Sequence, residues 1–281
     1  MDISKQILAY IKITRPLNVI LTFFVVIVAA YISQNKNLDL PFVILASLAA
    51  ALTAAAGNII NDIYDIETDK ISHPQRSLVV NTISKKQAWY YYLFINCASV
   101  FIAASLSSVL LTLVFVVTFL LFIYSAYLKR LPLIGNISIA LITATAFIYG
   151  GFVADNPAVA IIPAGFAFLI NLIREIVKDV QDIEGDSILK YRTFPIIFGI
   201  DKSNRIISLL IVLLLGATFY PFLTHLYKIE YFLIVMIFIN PLLVLCTKFL
   251  FDEKKVNRYS IVSSLLKFNM LIGLMAIWFG R

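Results

Sequence analysis

Two nearly identical acidic pentapeptides carry side chains that could hold a divalent cation. Asp65-Ile66-Glu67-Thr68-Asp69 recurs 117 residues later as Asp182-Ile183-Glu184-Gly185-Asp186. The outer aspartates of each copy are four residues apart, so both lie on one helix face if the helix continues through them. Asn61 and Asp62 precede the first copy, and Asp179 precedes the second. Oxygen donors of this kind suit Mg²⁺, which usually completes its shell with substrate phosphate oxygens. The two clusters therefore predict a site for a diphosphate bridged by metal.

The composition of the chain places these clusters in a membrane protein. The 281 residues are 61% hydrophobic and only 14% charged, with a mean hydropathy of +0.92, whereas soluble domains carry about 25% charged residues. The net charge of +7 is not accompanied by a basic segment interleaved with aromatic residues, so no nucleic acid is expected. Cys97 and Cys246 both lie in apolar segments, where we expect buried small side chains rather than a metal site.

Nine apolar segments are long enough to cross a bilayer. They predict an all-α polytopic protein with spans at 17–34, 41–60, 88–107, 108–127, 134–154, 158–177, 205–226, 229–249 and 259–279. Asp155-Asn156-Pro157 predicts the turn before the sixth span. The two pentapeptides follow the second and the sixth span, which is the pattern of a parallel internal repeat.

Basic residues orient the predicted spans. Nineteen of the 23 lysines and arginines precede the first span or lie after spans two, four, six and eight. The others are Lys36, Lys228, Lys267 and Arg281. By the positive-inside rule the N-terminus and both acidic clusters are cytoplasmic, and the C-terminus is outside. A cytoplasmic membrane is the simplest location.

Several cations flank the acidic clusters and could neutralise a departing pyrophosphate. Arg76 follows the first cluster, Lys129 and Arg130 follow the fourth span, and Arg174 and Lys178 precede Asp182 by two helical turns and one. Taken singly, each of these residues is more often a topology determinant than a ligand.

The pattern resembles the UbiA superfamily of intramembrane prenyltransferases. Asn61-Asp62-x-x-Asp65-x-x-x-Asp69 and Asp182-x-x-x-Asp186 match the two aspartate-rich motifs of that family, and Arg15-Pro16-Leu17-Asn18 matches the entry to its first span. Arg174 to Asp179 and Arg192-Thr193-Phe194-Pro195 look most like the digeranylgeranylglyceryl phosphate synthases. The resemblance implies one domain over residues 1–281, with nine helices around a central cavity open to the cytoplasm.

The resemblance also implies a reaction. A prenyl diphosphate, with geranylgeranyl as the expected prenyl group, would donate that group to geranylgeranylglyceryl phosphate in membrane ether-lipid biosynthesis. We expect Mg²⁺ at Asn61, Asp65, Asp69, Asp182 and Asp186, and the diphosphate at Arg76, Lys129, Arg130 and Lys178. Asp62 or Asp179 would take the acceptor proton, and Arg15, Asn18 and Arg174 would bind the acceptor. Tyr64, Tyr124, Tyr127 and Tyr149 could face the allylic cation through their rings.

Other interpretations remain open from the sequence. Where the family usually reads Asn-Arg-Pro after the first motif, this chain has Gln75-Arg76-Ser77, and such loop differences leave an aromatic acceptor of quinone or pigment synthesis possible. A cation-coupled transporter would also use intramembrane carboxylates. However, transporters place such residues near the midplane, whereas here they gather at one face.

Overall fold

A computed structural model describes residues 3–34, 38–252, 255 and 257–281, and every regular element within these ranges is a helix. The chain divides into two compact units. Unit 1 contains residues 1–129 and 146–158, and unit 2 contains residues 130–145 and 159–281.

Unit 1 is built around α3, which packs against α1, α2, α5 and α6. Its helices are α1 (Ile3–Ile13), α2 (Pro16–Ser33), α3 (Leu40–Tyr64), α4 (Ile66–Ser72), α5 (Lys85–Leu106), α6 (Ser108–Ala126) and the second half of α7 (Ile134–Val153). Small residues let the helices approach closely, as expected for packing in lipid. At Gly150, for example, a Cβ atom would lie 2.5 Å from Cβ of Ala29 and 2.7 Å from the carbonyl oxygen of Val26.

Two apolar clusters of unit 1 lie at opposite ends of α3. One contains Ala55, Ile59 and Ile63 from the C-terminal half of α3, and the other contains Val43, Ala46 and Ala49 from its N-terminal half. The first of these clusters supports the acidic residues that follow α3.

Unit 2 begins with the first half of α7 and centres on α8 and α15. Its other helices are α8 (Ile161–Gln181), α9 (Ile183–Ile188), α10 (Phe194–Phe198), α11 (Ile200–Ala217), α12 (Tyr220–Leu223), α13 (Ile229–Ile234), α14 (Asn240–Leu250) and α15 (Arg258–Gly280), with a π-helical turn at Val235–Ile239 between α13 and α14. α8 packs against α10, α11 and α15.

Eight helical segments among the described residues are long and apolar enough to cross a membrane. They match eight of the nine predicted spans, with α11 joined to α12 and α13 joined to α14. The remaining span, predicted at 158–177, corresponds to α8. This helix is long enough, but its last two turns carry Arg174, Glu175, Lys178 and Asp179. The count of nine therefore stays a prediction.

Local features of the sequence explain most helix boundaries. Asp155 adopts a left-handed conformation with φ 54°, and the predicted turn there is confirmed. α8 starts later than predicted, at Ile161.

The expectation for the cysteines is half right, because Cys246 is buried but Cys97 is exposed on α5. Lys36 and Lys254, which entered the orientation argument, lie outside the described residues.

Candidate active site

Both acidic pentapeptides form the same local structure, a bend between a long helix and a short one. Asp65 ends α3 and begins α4 with φ −93° and ψ 2°, and Asp182 ends α8 and begins α9 with φ −94° and ψ 8°. The backbone N–H of Asp65 donates to Asn61, and that of Asp69 donates to Asp65. The second copy repeats this pattern, with Asp182 donating to Lys178 and Asp186 to Asp182. The helix bends at the first aspartate of each pentapeptide, but i to i−4 hydrogen bonding continues, which keeps the two outer aspartates one turn apart.

Three buried carboxylates of the first cluster meet three cations. Asp62, Asp65 and Asp69 are only 7%, 5% and 4% exposed. Arg15 donates to Oδ1 of Asp62 at 2.5 Å, and Arg76 donates to Oδ2 of Asp69 at 2.5 Å while also approaching Oδ1 of Asp62 at 3.4 Å.

The remaining carboxylate, Asp65, accepts hydrogen bonds through its Oδ2 from Lys129 and from Nδ2 of Asn61. Glu67 points away, as predicted, and pairs with Lys70 at the surface. Arg76 and Lys129, two of the cations predicted to bind the diphosphate, thus both contact the first cluster.

Burial and neighbouring charges set the protonation of this cluster. Burial raises the pKa of Asp69 to about 6, and the nearby carboxylate of Asp65 adds to this rise while Arg76 opposes it. Burial alone would lower the pKa of Lys129, but the adjacent carboxylate of Asp65 outweighs it and raises that pKa. The lysine therefore stays charged.

The second cluster lies in unit 2 and has different partners. Asn136 of α7 donates from Nδ2 to Oδ2 of Asp179 at 2.8 Å. Asp179 lies beyond the end of the sixth predicted span. Burial raises the pKa of Asp179 to about 7, although the hydrogen bond from Asn136 lowers it. Glu175 accepts from Lys178 at 2.8 Å and from Arg174 at 3.5 Å, and Asp186 is 6% exposed.

Arg130 belongs with the second pentapeptide rather than with its neighbour Lys129. Its guanidinium lies 4.9 Å from the ring centroid of Tyr191, a cation–π arrangement. The backbone N–H of Tyr191 donates to the carbonyl oxygen of Asp186 at 2.9 Å. Lys129 and Arg130 are adjacent in the sequence, but Lys129 contacts the first acidic segment and Arg130 lies beside the second.

The four tyrosines predicted to face an allylic cation have unlike surroundings. The ring of Tyr64 packs edge-on against Trp89 and Phe122, at centroid distances of 6.5 and 6.0 Å. Tyr124 is buried, whereas Tyr127 is 67% exposed. Tyr149 belongs to the apolar cluster of Val43, which lies at the far end of α3 from Asp62. Tyr64 also packs against the apolar cluster of Ile59, beside the end of α3 where the acidic cluster begins.

Two hydrogen-bonding asparagines were not among the predicted site residues. Asn136 holds Asp179, and Asn58 donates from Nδ2 to the carbonyl oxygen of Thr14 at 2.7 Å. The latter bond fixes the turn that leads to Arg15, which has φ 54°. Asn18 follows in the first turn of α2. The signal for Asn58 and Asn136 was present, since an amide inside an apolar helix requires a partner.

The donor atoms of the first cluster are of the chemical type that a hard divalent cation binds. Asn61, Asp65 and Asp69 supply amide and carboxylate oxygens within two turns, as Mg²⁺ prefers. Among the described residues no three carboxylate, imidazole or thiol side chains are gathered around a single point. Each carboxylate of the first cluster contacts an ammonium or guanidinium group instead, and Arg76 contacts two of them.

Comparisons with known proteins agree with this chemistry. Residues 22–271 match the UbiA prenyltransferase family. The digeranylgeranylglyceryl phosphate synthase of Methanosphaera stadtmanae is 32% identical over 273 residues, which cover 96% of this chain and 98% of the relative.

Solved structures show the same fold. One, described as giving structural and mechanistic insights into digeranylgeranylglyceryl phosphate synthase in membranes, is 28% identical, covers 98% of both chains and has a TM-score of 0.76. A UbiA homologue from Archaeoglobus fulgidus bound to GPP and Mg²⁺ is 22% identical, with a TM-score of 0.72 over 96% of this chain and 99% of that one.

Proposed function

The chain belongs to the UbiA prenyltransferase family, and on this basis we propose that it moves a geranylgeranyl group from its diphosphate onto geranylgeranylglyceryl phosphate. It is a multi-pass membrane enzyme. Family membership removes the cation-coupled transporter from consideration. The relative from Methanosphaera stadtmanae, matched over nearly its whole length, supports the lipid acceptor.

One observation carries the proposal: three buried carboxylates and three cations meet where α3 ends. A carboxylate cluster of this kind is costly beside a bilayer unless it serves a site. The backbone bend at Asp182 in unit 2 has nearly the same φ and ψ as the bend at Asp65 in unit 1. We infer that both acidic segments belong to one prenyltransferase domain of residues 1–281.

The oxygen donors of Asn61, Asp65, Asp69, Asp182 and Asp186 would hold the metal. When bound, Mg²⁺ would neutralise the charge that develops on the leaving diphosphate. The solved family member with GPP and Mg²⁺ supports this assignment.

The cations of unit 1 are suited to bind the donor diphosphate. Arg76 and Lys129 contact Asp69 and Asp65 directly, so they lie where phosphate oxygens would meet the metal ligands. Arg15 shares Asp62 with Arg76, which supports a diphosphate role for Arg15 rather than the acceptor role expected from the sequence. Arg130 and Lys178 would contribute from the second cluster.

Asp179 is better suited than Asp62 to receive the acceptor proton. Oδ1 of Asp62 contacts two arginines, so it is less available to an acceptor hydroxyl. Asp179 accepts a hydrogen bond from a neutral amide, and its pKa of about 7 matches a general base at neutral pH. The acceptor hydroxyl would attack the allylic carbon as the C–O bond to the diphosphate breaks, and its proton would pass to Asp179.

The acceptor carries its own phosphate, and Arg174 of α8 is the cation best placed for it. The Nε atom of Arg174 is buried and has no hydrogen-bond partner among the described residues, so this N–H is available to donate to an anion. Asn18 lies in the first turn of α2, just after Arg15, and would contact the acceptor glycerol. Of the four predicted aromatic residues, Tyr64 packs beside the end of α3 and is the one we propose for the cation.

Orientation follows from the distribution of basic residues. We propose that the N-terminus and the active site face the cytoplasm and that Arg281 is outside, because 19 of the 23 lysines and arginines fall on the side of the acidic clusters. The membrane would be the cytoplasmic membrane.

Product identification tests the proposed function. Purified protein with Mg²⁺ and geranylgeranyl diphosphate should convert geranylgeranylglyceryl phosphate to its digeranylgeranyl product, observed by mass spectrometry, and leave aromatic acceptors unchanged. Prenylation of an aromatic ring alone would overturn the lipid assignment in favour of quinone or pigment synthesis. Asp182→Asn should be inactive although membrane-inserted, with Glu184→Gln as its matched control.

A further inference from the structure

The N-terminal helix α1 has an apolar face that the protein does not cover. Ala9 and Ile13, one turn apart, are 4% and 3% exposed and pack on the cluster of Ile59. Ile7, Leu8 and Ile11 lie on the other side of the helix and are 56%, 49% and 49% exposed. A short helix with one face on the protein and an apolar face outward is typical of a membrane interface.

The charged residues of α1 and of the first turns of α5, as far as the structure describes them, are all lysines. Lys5 and Lys12 of α1 are exposed, as are Lys85 and Lys86 at the start of α5. No aspartate or glutamate occurs in residues 3–13 or 84–94. Lysines in the first turn of a helix oppose its dipole, so Lys85 and Lys86 gain most from a negative charge outside the protein.

Aromatic side chains join α1 to α5 at this level. Tyr10, Gln87, Tyr90, Tyr91 and Phe94 line an open groove of about 490 Å³. Tyr10 and Tyr91 pack edge to face at 5.1 Å, and Nζ of Lys86 lies 5.9 Å from the ring centroid of Tyr90. Tyrosines with nearby lysines mark the headgroup level of a bilayer.

We propose that α1 and the start of α5 form a binding surface for anionic lipid headgroups. Ile7, Leu8 and Ile11 insert among the acyl chains, and the four lysines contact the phosphates. The bilayer is the occupant because α2, α3 and α5, which continue from this surface, are themselves candidate spans. Attraction to an anionic membrane surface is worth about fivefold in binding per lysine.

This surface connects to the acidic cluster through a short, rigid path. α1 ends at Ile13, and the carbonyl oxygen of Thr14 accepts the hydrogen bond of Asn58. The next residue, Arg15, turns the chain and pairs with Asp62. Holding α1 in the headgroup layer therefore holds Arg15 on the site, a consequence that rests on the proposed function.

Lipid preference around α1 tests the surface without any measurement of activity. An environment-sensitive fluorophore is placed at Ile7→Cys in the full chain, with Cys97→Ser removing the exposed native thiol. The protein is reconstituted in phosphatidylcholine vesicles that contain spin-labelled phosphatidylglycerol or, in a second sample, spin-labelled phosphatidylcholine. We expect the anionic quencher to act at least about fivefold more strongly, which is the effect of a single lysine, and a probe at Gln75→Cys, in an exposed loop, to show no preference.

Charge removal provides the second arm. Replacing Lys5, Lys12, Lys85 and Lys86 by Gln should abolish the preference, whereas Lys228→Gln with Lys248→Gln should keep it. The proposed lipid-binding surface would be refuted if both spin-labelled lipids quench equally in the chain that keeps its lysines. It would also be refuted if the preference persists after all four lysines are replaced.

Activity separates this proposal from the proposed function. In vesicles of phosphatidylcholine alone, KM for the donor should rise several-fold relative to vesicles with phosphatidylglycerol, and the fourfold variant should show the higher KM in both. A lipid preference without any change in KM would refute the link to Arg15. Absence of product in all vesicles, with the preference intact, would count against the proposed reaction and leave the surface standing.

Discussion

Replacing Asp62 by asparagine tests whether this carboxylate positions the two arginines or accepts a proton. The substitution keeps the shape of the side chain and removes the charge that Arg15 and Arg76 share. The side chain of Asp62 is 9% exposed, and those of the arginines are 28% and 26% exposed, so water screens the pairs only partly. A hydrogen bond to a charged group contributes about 1.5–3 kcal/mol. Arg76 keeps its bond to Asp69, and Arg15 loses its carboxylate.

We therefore expect a loss of about 2–3 kcal/mol in transition-state stabilisation, which is a decrease of about 30- to 150-fold in kcat/KM. If Asp62 positions the arginines, the change should appear mainly as a higher KM for the prenyl diphosphate, with an unchanged pH profile. If Asp62 were the base, kcat would fall instead and the acidic limb of the profile would disappear.

Steady-state kinetics with mass-spectrometric product detection, over a range of pH, separates the two cases. Glu67→Gln is the matched control, because Glu67 lies in the same pentapeptide but pairs with Lys70 at the surface, and its kcat/KM should stay within about twofold. A double-mutant cycle with Arg15→Gln should give a coupling energy of about 1.5–3 kcal/mol. A KM that falls or does not change on Asp62→Asn would refute the positioning role, since the carboxylate would then compete with the diphosphate.

Three further outcomes follow from the structure. Asp65→Asn should lower kcat by at least about 100-fold while the protein remains folded, because both Lys129 and the metal lose their carboxylate; thermal unfolding in detergent and product formation check this, and full activity would remove Asp65 from the site. Asn136→Ala should move the acidic limb of the kcat profile to higher pH, because the lost hydrogen bond stabilises the charged form of Asp179, whose pKa is about 7; a limb that stays in place would exclude Asp179 as the base. Gly150→Ala should lower the free energy of unfolding by about 1–3 kcal/mol, because its Cβ would overlap α2, whereas Gly216→Ala, with nothing within 4 Å, should be neutral or stabilising.

The sequence was sufficient to predict the helical spans because hydropathy depends on composition rather than on tertiary contacts. Eight predicted spans match helices in the structure. α8 differs because it carries four charged residues in its last two turns, which raise its polarity without ending the helix.

The partners of the site residues were harder to predict. Lys129 and Arg130 are adjacent, but one contacts Asp65 and the other stacks on Tyr191. That division depends on the backbone course after α6, which spacing along the chain does not encode. The bends at Asp65 and Asp182 could not be predicted from the sequence either, because a pattern of aspartates four residues apart fits both a straight helix and a bent one.

The pairing of three carboxylates with three cations in unit 1 has a consequence for how ligands arrive. Asp62, Asp65 and Asp69 are balanced by Arg15, Arg76 and Lys129, so this part of the molecule offers little net attraction to a free pyrophosphate or a free divalent ion. In a complex of the two, the opposite charges largely cancel. When this complex binds, the metal can pair with the carboxylates and the diphosphate with the cations, so that every charged group keeps a partner. Donor and metal should accordingly show positive heterotropic cooperativity, each tightening the other's association.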